Sequence, residues 1–261
     1  MESKGFSEKH RVTYYETDMN GTVGLGRLVD LMMLSCNDQS DAVGLSSEKV
    51  NQMGLGWIVT QNMIDIKRLP RRNETIYITT HAKSYNRYFC YRDFWIHDIR
   101  KQELAHMHTV FALMDQNERK IVRIPENLIE PYHSEYATKI ERLPLPKELE
   151  RIDRQKEYEV RFWDIDINQH VNNVHYFEWM LDALDLDFLI KYQPVSMNIE
   201  YKKEIRYGQK AVSQAQITMT GVETVTTFHE IKVNDELSCR AVCDWKLRAA
   251  PDGRGYPARR R

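Results

Sequence analysis

The sequence predicts an α+β chain of two similar halves, each a curled antiparallel sheet wrapped around one long helix. Three observations carry this. A motif recurs 148 residues apart: Tyr15-Glu16-Thr17-Asp18-Met19-Asn20-Gly21-Thr22-Val23 stands in register with Trp163-Asp164-Ile165-Asp166-Ile167-Asn168-Gln169-His170-Val171. An acid, an acid, Asn and Val repeat in both. A helical apolar stripe follows each copy, and strand-like runs follow each stripe.

After the first copy, Leu25, Leu28, Val29, Met32 and Cys36 fall three and four apart, which predicts an amphipathic helix. After the second, Val174, Phe177, Met180, Leu181, Leu184 and Phe188 do the same, with Asn172 or Asn173 as the expected N-cap. Met63–Arg68 and Asn198–Lys203 then match at an offset of 135. The 13-residue shortening falls in the helix-to-strand connection, where a change of loop length costs least. Runs rich in β-branched and aromatic residues predict strands at 76–85, 88–98 and 103–114, and again at 211–219, 224–233 and 237–248. Between the halves, 125–157 carries Pro125, Pro131, Pro144 and Pro146 among many charges, as a linker would. The expected domains are 1–135 and 156–261, joined by a linker at 136–155.

Composition bounds the function. The chain has 261 residues, 42% hydrophobic and 29% charged, enough for a substantial core and unlike a disordered or collagenous chain. Lys and Arg number 37 against 38 Asp and Glu, so the net charge of −1 disfavours a general nucleic-acid binder. No apolar run approaches the ~18–20 residues of a membrane span, and the opening MESKGFSEKH lacks a secretory apolar segment. The expectation is a soluble cytoplasmic protein that binds neither nucleic acid nor membrane. Four scattered cysteines, Cys36, Cys90, Cys239 and Cys243, fit inert buried thiols better than a disulfide scaffold or a zinc site.

In the second copy Asp164, Asp166, Asn168 and His170 occupy every other position, so an extended segment would converge them on one face. The helix after them would aim its free N–H groups at the same place, where developing negative charge is stabilised. Histidine is suited to general-base work near neutral pH. The alternative is a polar turn that only caps a helix. The first copy favours chemistry in the second, because Thr22 stands where His170 does and a lone hydroxyl is no base. An EF-hand is rejected, since its sixth and twelfth positions would be Gln169 and His175. A metal site built from Asp166, His170 and a distant carboxylate is the lesser alternative.

The segment from Trp163 through Tyr176 resembles the signature of the acyl-acyl carrier protein thioesterases, a family known from plant plastids with shorter bacterial relatives. Glu200-Tyr201-Lys202-Lys203-Glu204 is similar to that family's second motif, an acidic-aromatic strand ending in a functional Glu. The likeness runs over about residues 8–248. It implies tandem hot-dog domains and catalytic roles for Asp166, Asn168, His170 and Glu204. Plant members carry a Cys directly after that Glu, once argued to be the nucleophile; here Ile205 stands there, so the resemblance points to an assisted water, with direct attack by Asp166 as the lesser route. Leu69 is the first half's counterpart of Glu204, which implies one active site per chain. Plant transit and anchor extensions have no match here, which implies a bacterial cytoplasmic relative.

The expected activity is hydrolysis of fatty acyl-acyl carrier protein to free fatty acid, ending fatty acid synthesis, with no metal or organic cofactor. His170, oriented by Glu204, would activate water; Asn168 and Asp166 would position it; the helix beginning near Asn172 would polarise the carbonyl. Met19, Leu28, Met32, Trp57 and Ile58 could line an acyl tunnel, although core packing is the preferred reading of each. Lys202, Lys203, Arg206 and Lys210, with Arg71 and Arg72, could steer an acidic carrier, although most such charges simply face solvent. The rivals are an acyl-CoA thioesterase and a catalytically dead acyl-binding module. Two halves already make a pseudo-dimer, so a monomer suffices and a homodimer is compatible.

Overall fold

The computed structural model describes residues 5–249; the outermost residues of both expected domains lie outside them. The first half runs β1 (Phe6–Arg11), α1 (Leu25–Ala42), α2 (Ser47–Gln52), β2 (Leu55–Ile66), β3 (Thr75–Tyr85), β4 (Phe89–Asp98) and β5 (Glu103–Asp115). Two short strands follow, β6 (Lys120–Ile121) and β7 (Glu135–Tyr136). The second half runs β8 (Arg154–Glu159), α3 (Asn173–Asp182), α4 (Leu186–Lys191), β9 (Tyr192–Tyr201), β10 (Lys210–Met219), β11 (Thr224–Val233) and β12 (Glu236–Leu247).

The strands form one sheet in the order β1-β3-β4-β5-β2-β9-β12-β11-β10-β8, with β6 on β5 and β7 on β3. Outward from the centre both halves repeat one order, so the duplication is visible in topology as well as in sequence. The halves meet where β2 pairs antiparallel with β9, Gln61 opposite Glu200 and Asp65 opposite Ser196. A single sheet results instead of two separate ones.

Both helices pack on the same face. Leu28, Val29 and Met32 of α1 share one core with Val174, Phe177 and Met180 of α3, closed beneath by Phe94, Met107, Ile199 and Trp245. Burying side chains of this size contributes roughly 1.5–3 kcal/mol each. The helices approach closely at Gly26, where an added Cβ would come 2.9 Å from Val174 Cγ1.

Observed strands agree with the six expected runs to within two residues at either end. Met63–Arg68 and Asn198–Lys203 overlap only the C-terminal parts of β2 and β9, which begin at Leu55 and Tyr192. One long helix holds for the first half, where α1 has 18 residues. In the second half the helix breaks: α3 ends at Asp182, and Asp185 starts α4 by accepting from the Phe188 N–H at 2.8 Å. The apolar spacing of Leu181, Leu184 and Phe188 continues through this break.

The segment after β7 crosses the face of the sheet opposite the helices. Pro144 O accepts from Gln61 Nε2 at 2.8 Å and Asn198 Nδ2 at 2.7 Å, spanning the joint between the halves. The Glu150 N–H donates to Gln216 Oε1 at 2.8 Å, and β8 begins at Arg154, inside the stretch expected to link the domains.

Candidate active site

The two motif copies fold into the same turn, not into extended strands. In the second, the Asp166 N–H donates to His170 O at 3.0 Å, the Gln169 N–H to Asp166 O at 3.0 Å, and the Asn168 N–H to Asp166 Oδ1 at 2.8 Å. The first has the Asp18 N–H to Thr22 O at 2.9 Å, the Gly21 N–H to Asp18 O at 3.0 Å, and the Asn20 N–H to Asp18 Oδ1 at 2.9 Å. The residue before the motif's last polar position is left-handed in both, Gly21 at φ +72° and Gln169 at φ +66°. Glycine pays little for this and glutamine pays more, so the second copy holds a costlier version of the same corner.

The turn separates the residues that spacing had grouped. Asp164 is 1% exposed and turned away, its carboxylate held by Arg161 Nη2 at 2.7 Å and by the Arg161 N–H at 2.8 Å. Burial opposes its ionisation, but these hydrogen bonds hold its carboxyl below the ordinary value. Asp164 is therefore a structural acid, as Glu16 is in the first copy, where it accepts from the Thr13 N–H at 2.6 Å.

Asp166, Asn168, His170 and Glu204 do come together, lining a cavity of about 580 Å³ with Tyr176 and Arg119. His170 Nδ1 lies 3.1 Å from Val171 O and 3.7 Å from Asp166 Oδ1. A carbonyl can only accept, so the neutral ring carries its proton on Nδ1 and keeps the Nε2 lone pair free for a proton from elsewhere. Asn172 caps α3 by accepting from the Val174 N–H at 3.3 Å, and its neighbour Asn173 lines the cavity. The positive end of the α3 dipole thus sits at the site.

Glu204 does not orient His170. Its carboxylate takes two bonds from Arg206, Nη2 at 2.7 Å and Nε at 3.1 Å, and a third from Arg119 on the β5–β6 turn of the first half. Arg119 escaped the sequence reading; it lies 85 residues before its partner, and no local pattern marks it. Ile205 is fully buried: its carbonyl accepts from the Val171 N–H at 2.8 Å, and its N–H donates to Tyr176 Oη at 3.2 Å. The position after Glu204 thus fastens the motif turn to the segment that follows β9, and no thiol stands there. Burial holds Cys239 and Cys243 on β12 well above the ordinary thiol range and pushes Cys90 up to about 12. In the first half, Thr22 and the buried Leu69 offer neither base nor acid. Among the described residues no three His, Cys, Asp or Glu side chains group as metal ligands would, and no helix is long and apolar enough to cross a membrane.

A larger cavity of about 810 Å³ starts at Asp166, Asn168 and Asn172 and runs into the first half between α1 and the sheet. Trp57 both packs against the first half's smaller core and lines both cavities, and Ile58 lines the smaller cavity. The core-packing reading holds for Leu28 and Met32, both fully buried in the shared core, while Met19 is exposed. Of the expected basic patch, Lys202 pairs with Glu200 at 3.0 Å, Lys203 with Glu236, and Arg206 with Glu204.

The acyl-ACP thioesterase N-terminal domain model matches residues 3–132, and the acyl-ACP thioesterase C-terminal domain model matches residues 147–247. A Lactobacillus plantarum protein described as an oleoyl thioesterase is 43% identical, with a TM-score of 0.92 over 95% of this chain and 98% of its own. The 12:0-ACP thioesterase of Umbellularia californica, 18% identical, shares the fold with a TM-score of 0.82 over 94% of each chain. Among curated relatives, an acyl-acyl-carrier-protein hydrolase of Cuphea viscosissima is 26% identical over 77% of this chain and 52% of its own length. An oleoyl-acyl carrier protein thioesterase of Coriandrum sativum is 24% identical over 77% and 60%. The chain thus spans between half and two thirds of the length of these plant relatives. The fold is the tandem hot-dog.

Proposed function

The chain belongs to the acyl-ACP thioesterase family, and from that premise we propose that it hydrolyses fatty acyl thioesters of acyl carrier protein to free fatty acid, ending fatty acid synthesis. One observation carries this reading: His170, with Nδ1 tied to Val171 O, shares a cavity with Asp166, Asn168, Glu204 and the start of α3. His170 Nε2 takes a proton from a water as its oxygen adds to the thioester carbonyl carbon. Asn168, positioned through its N–H on Asp166, orients that water. The N-terminal end of α3 faces the oxyanion that forms. The intermediate collapses by breaking the carbon–sulfur bond, and the proton on His170 passes to the departing carrier thiolate. Glu204 and its two arginines shape the rim where the carrier arm enters, a different role from orienting the base. A thioester is already an activated acyl group, so the site's own side chains suffice.

The acyl chain would lie in the 810 Å³ cavity of the first half, which therefore supplies specificity while the second half supplies chemistry. We assign these roles to the domains expected at 1–135 and 156–261, with β8 from Arg154 onward counted in the second, and the stretch between β7 and β8 acts as a strap across the sheet. Four free cysteines suit the reducing cytoplasm as the place of work. The deciding experiment is hydrolysis of one acyl chain presented on acyl carrier protein and on coenzyme A. Faster turnover of the carrier thioester supports the reading; faster turnover of the CoA thioester replaces it with an acyl-CoA thioesterase; turnover of neither leaves a binding module.

A further inference from the structure

The larger cavity is not lined by hydrocarbon alone. Asp166, Asn168 and Trp57 line both it and the His170 cavity, and Tyr132, Ser134 and Arg92 line it in the first half, away from the second-half residues. Arg92, on β4, is 7% exposed. Its Nη1 donates to Gln39 Oε1 and, at 3.0 Å, to Thr80 Oγ1, and its guanidinium lies 5.1 Å from the centroid of the Tyr132 ring. Tyr132 is itself fixed by donating to Ser40 Oγ at 2.8 Å. Every one of these partners is neutral, and among the described residues no carboxylate pairs with Arg92.

A guanidinium keeps its charge at any working pH, and a buried charge without a counter-group is costly. Two other partly buried arginines have an acid in contact, Arg240 with Glu230 at 2.7 Å and Arg68 with Glu74 at 2.6 Å; Arg248, also partly buried, donates to Tyr192 O at 3.1 Å. Of these, Arg92 lines the cavity, and its side-chain hydrogen bonds leave from Nη1, with Nε and Nη2 as its other donors. A wholly hydrocarbon chain pressed against it would strip water from those donors and give nothing back. A chain with an oxygen at that depth would accept from them.

We propose that the far end of this cavity is a polar subsite in which Arg92 binds an oxygen function, a hydroxyl or carboxylate, carried on the acyl chain remote from the thioester. The inference rests on the acyl-thioester reading above and names the substrate class within it. Arg92 is the specificity-determining residue, Tyr132 and Gln39 hold its plane, and the hydrolytic chemistry at His170 is unchanged.

The test measures kcat/KM for three series of acyl thioesters across a ladder of chain lengths: alkyl, terminal hydroxyl and terminal carboxylate. At the length that places the oxygen at Arg92, the oxygenated chain should be preferred by about tenfold or more over the alkyl chain of equal length. Arg92→Met should reverse that preference without lowering kcat for the alkyl chain, and Arg92→Lys should keep part of the carboxylate preference. An alkyl preference at every length in the wild type overturns the proposal, as does an Arg92→Met variant that shifts all three series alike. If no series is hydrolysed, the acyl-thioesterase reading fails separately. Calorimetric binding of the free hydroxy and dicarboxylic acids to wild type and Arg92→Lys then decides the subsite, weaker binding than that of the plain fatty acid counting against it.

Discussion

Thr22 and His170 hold the same corner of two copies of one turn: the carbonyl of each accepts from the backbone N–H of the Asp four residues earlier, at 2.9 and 3.0 Å. Backbone geometry therefore does not distinguish the two corners; the side chain each carries does. His170→Ala should lower kcat by roughly 10²–10⁴-fold with little effect on the unfolding midpoint, as for loss of a general base. Thr22→Ala should stay within a few-fold of wild type. Equal losses in the two variants, measured under saturating substrate, would show both copies to be catalytic.

Arg119 and Glu204 couple the halves across the site. Both side chains are partly solvent-exposed, so the pair should contribute only about 0–1 kcal/mol to folding. Its effect belongs to activity. Glu204→Gln and Arg119→Met should each lower kcat/KM by about tenfold, and the double variant should be no worse than the poorer single. Additive losses in that cycle would mean that the two residues act independently, and a wild-type rate in Glu204→Gln would remove the carboxylate from the site altogether.

The sequence made the periodic parts of this fold legible. The run of β-branched and aromatic residues at 224–233 matches β11 to the residue, because such side chains suit the pleated, half-buried surface of a strand. The sequence failed where two structures share one pattern. Leu181, Leu184 and Phe188 keep helical phase across the break at Asp185, so spacing alone cannot reveal that an Asp inside the stripe is a cap. Asp164 and Asp166, two apart, read as neighbours on one face until the turn sends one inward to Arg161 and the other to the cavity. Arg119 was invisible for a third reason: its position depends on β5 and β2 bringing the hairpin turn to the second half, a long-range fact with no local signal.

Gly26 makes the approach of α1 to α3 possible. Alanine stabilises a helix over glycine by up to about 1 kcal/mol, and by less in the first turn, where Gly26 stands. Here its Cβ would meet Val174 Cγ1 at 2.9 Å, with Val174 O at 3.4 Å behind it. Overpacking of this kind costs about 1–3 kcal/mol, so Gly26→Ala should lower the unfolding midpoint. Gly26→Ala with Val174→Ala should recover most of the loss. A single variant more stable than wild type in urea titration would mean that the helices part freely.

Burial pushes His229 down from 6.5 to about 3. The ring is fully buried, its Nε2 2.7 Å from Thr227 Oγ1, which also accepts from Trp245 Nε1 at 2.8 Å; Nδ1 has no partner. The unfolded chain takes a proton on this residue below about pH 6.5, and the folded one does so only near pH 3. The unfolded state therefore binds more protons in that window, and stability falls as pH drops through it, with a slope on the order of 1 kcal/mol per pH unit at most. His229→Gln should be less stable at pH 7 but should lose less between pH 7 and pH 5 than wild type. Parallel urea midpoints for the two proteins over that range would assign the acid sensitivity to other groups.

Lys202 and Lys203 stand on the rim of the His170 cavity, where an acidic carrier would have to dock, yet each already faces an acid, Glu200 at 3.0 Å and Glu236. Their attraction for a carrier is thus partly cancelled within the protein. Arg206 is unsuitable for a charge-reversal test, because it is bound to Glu204. Glu236→Gln would release the charge on Lys203, and should lower KM for the carrier-bound substrate while leaving kcat unchanged. Lys202→Glu with Lys203→Glu should raise KM, again with kcat unchanged. Both effects should shrink as ionic strength passes about 0.1 M, where screening acts within about 10 Å. A small neutral acyl thioester reaches His170 without the carrier and should respond to neither substitution nor salt. If it responds as strongly as the carrier substrate, these charges act on the chemistry; if the carrier substrate is also indifferent, it docks elsewhere on the surface.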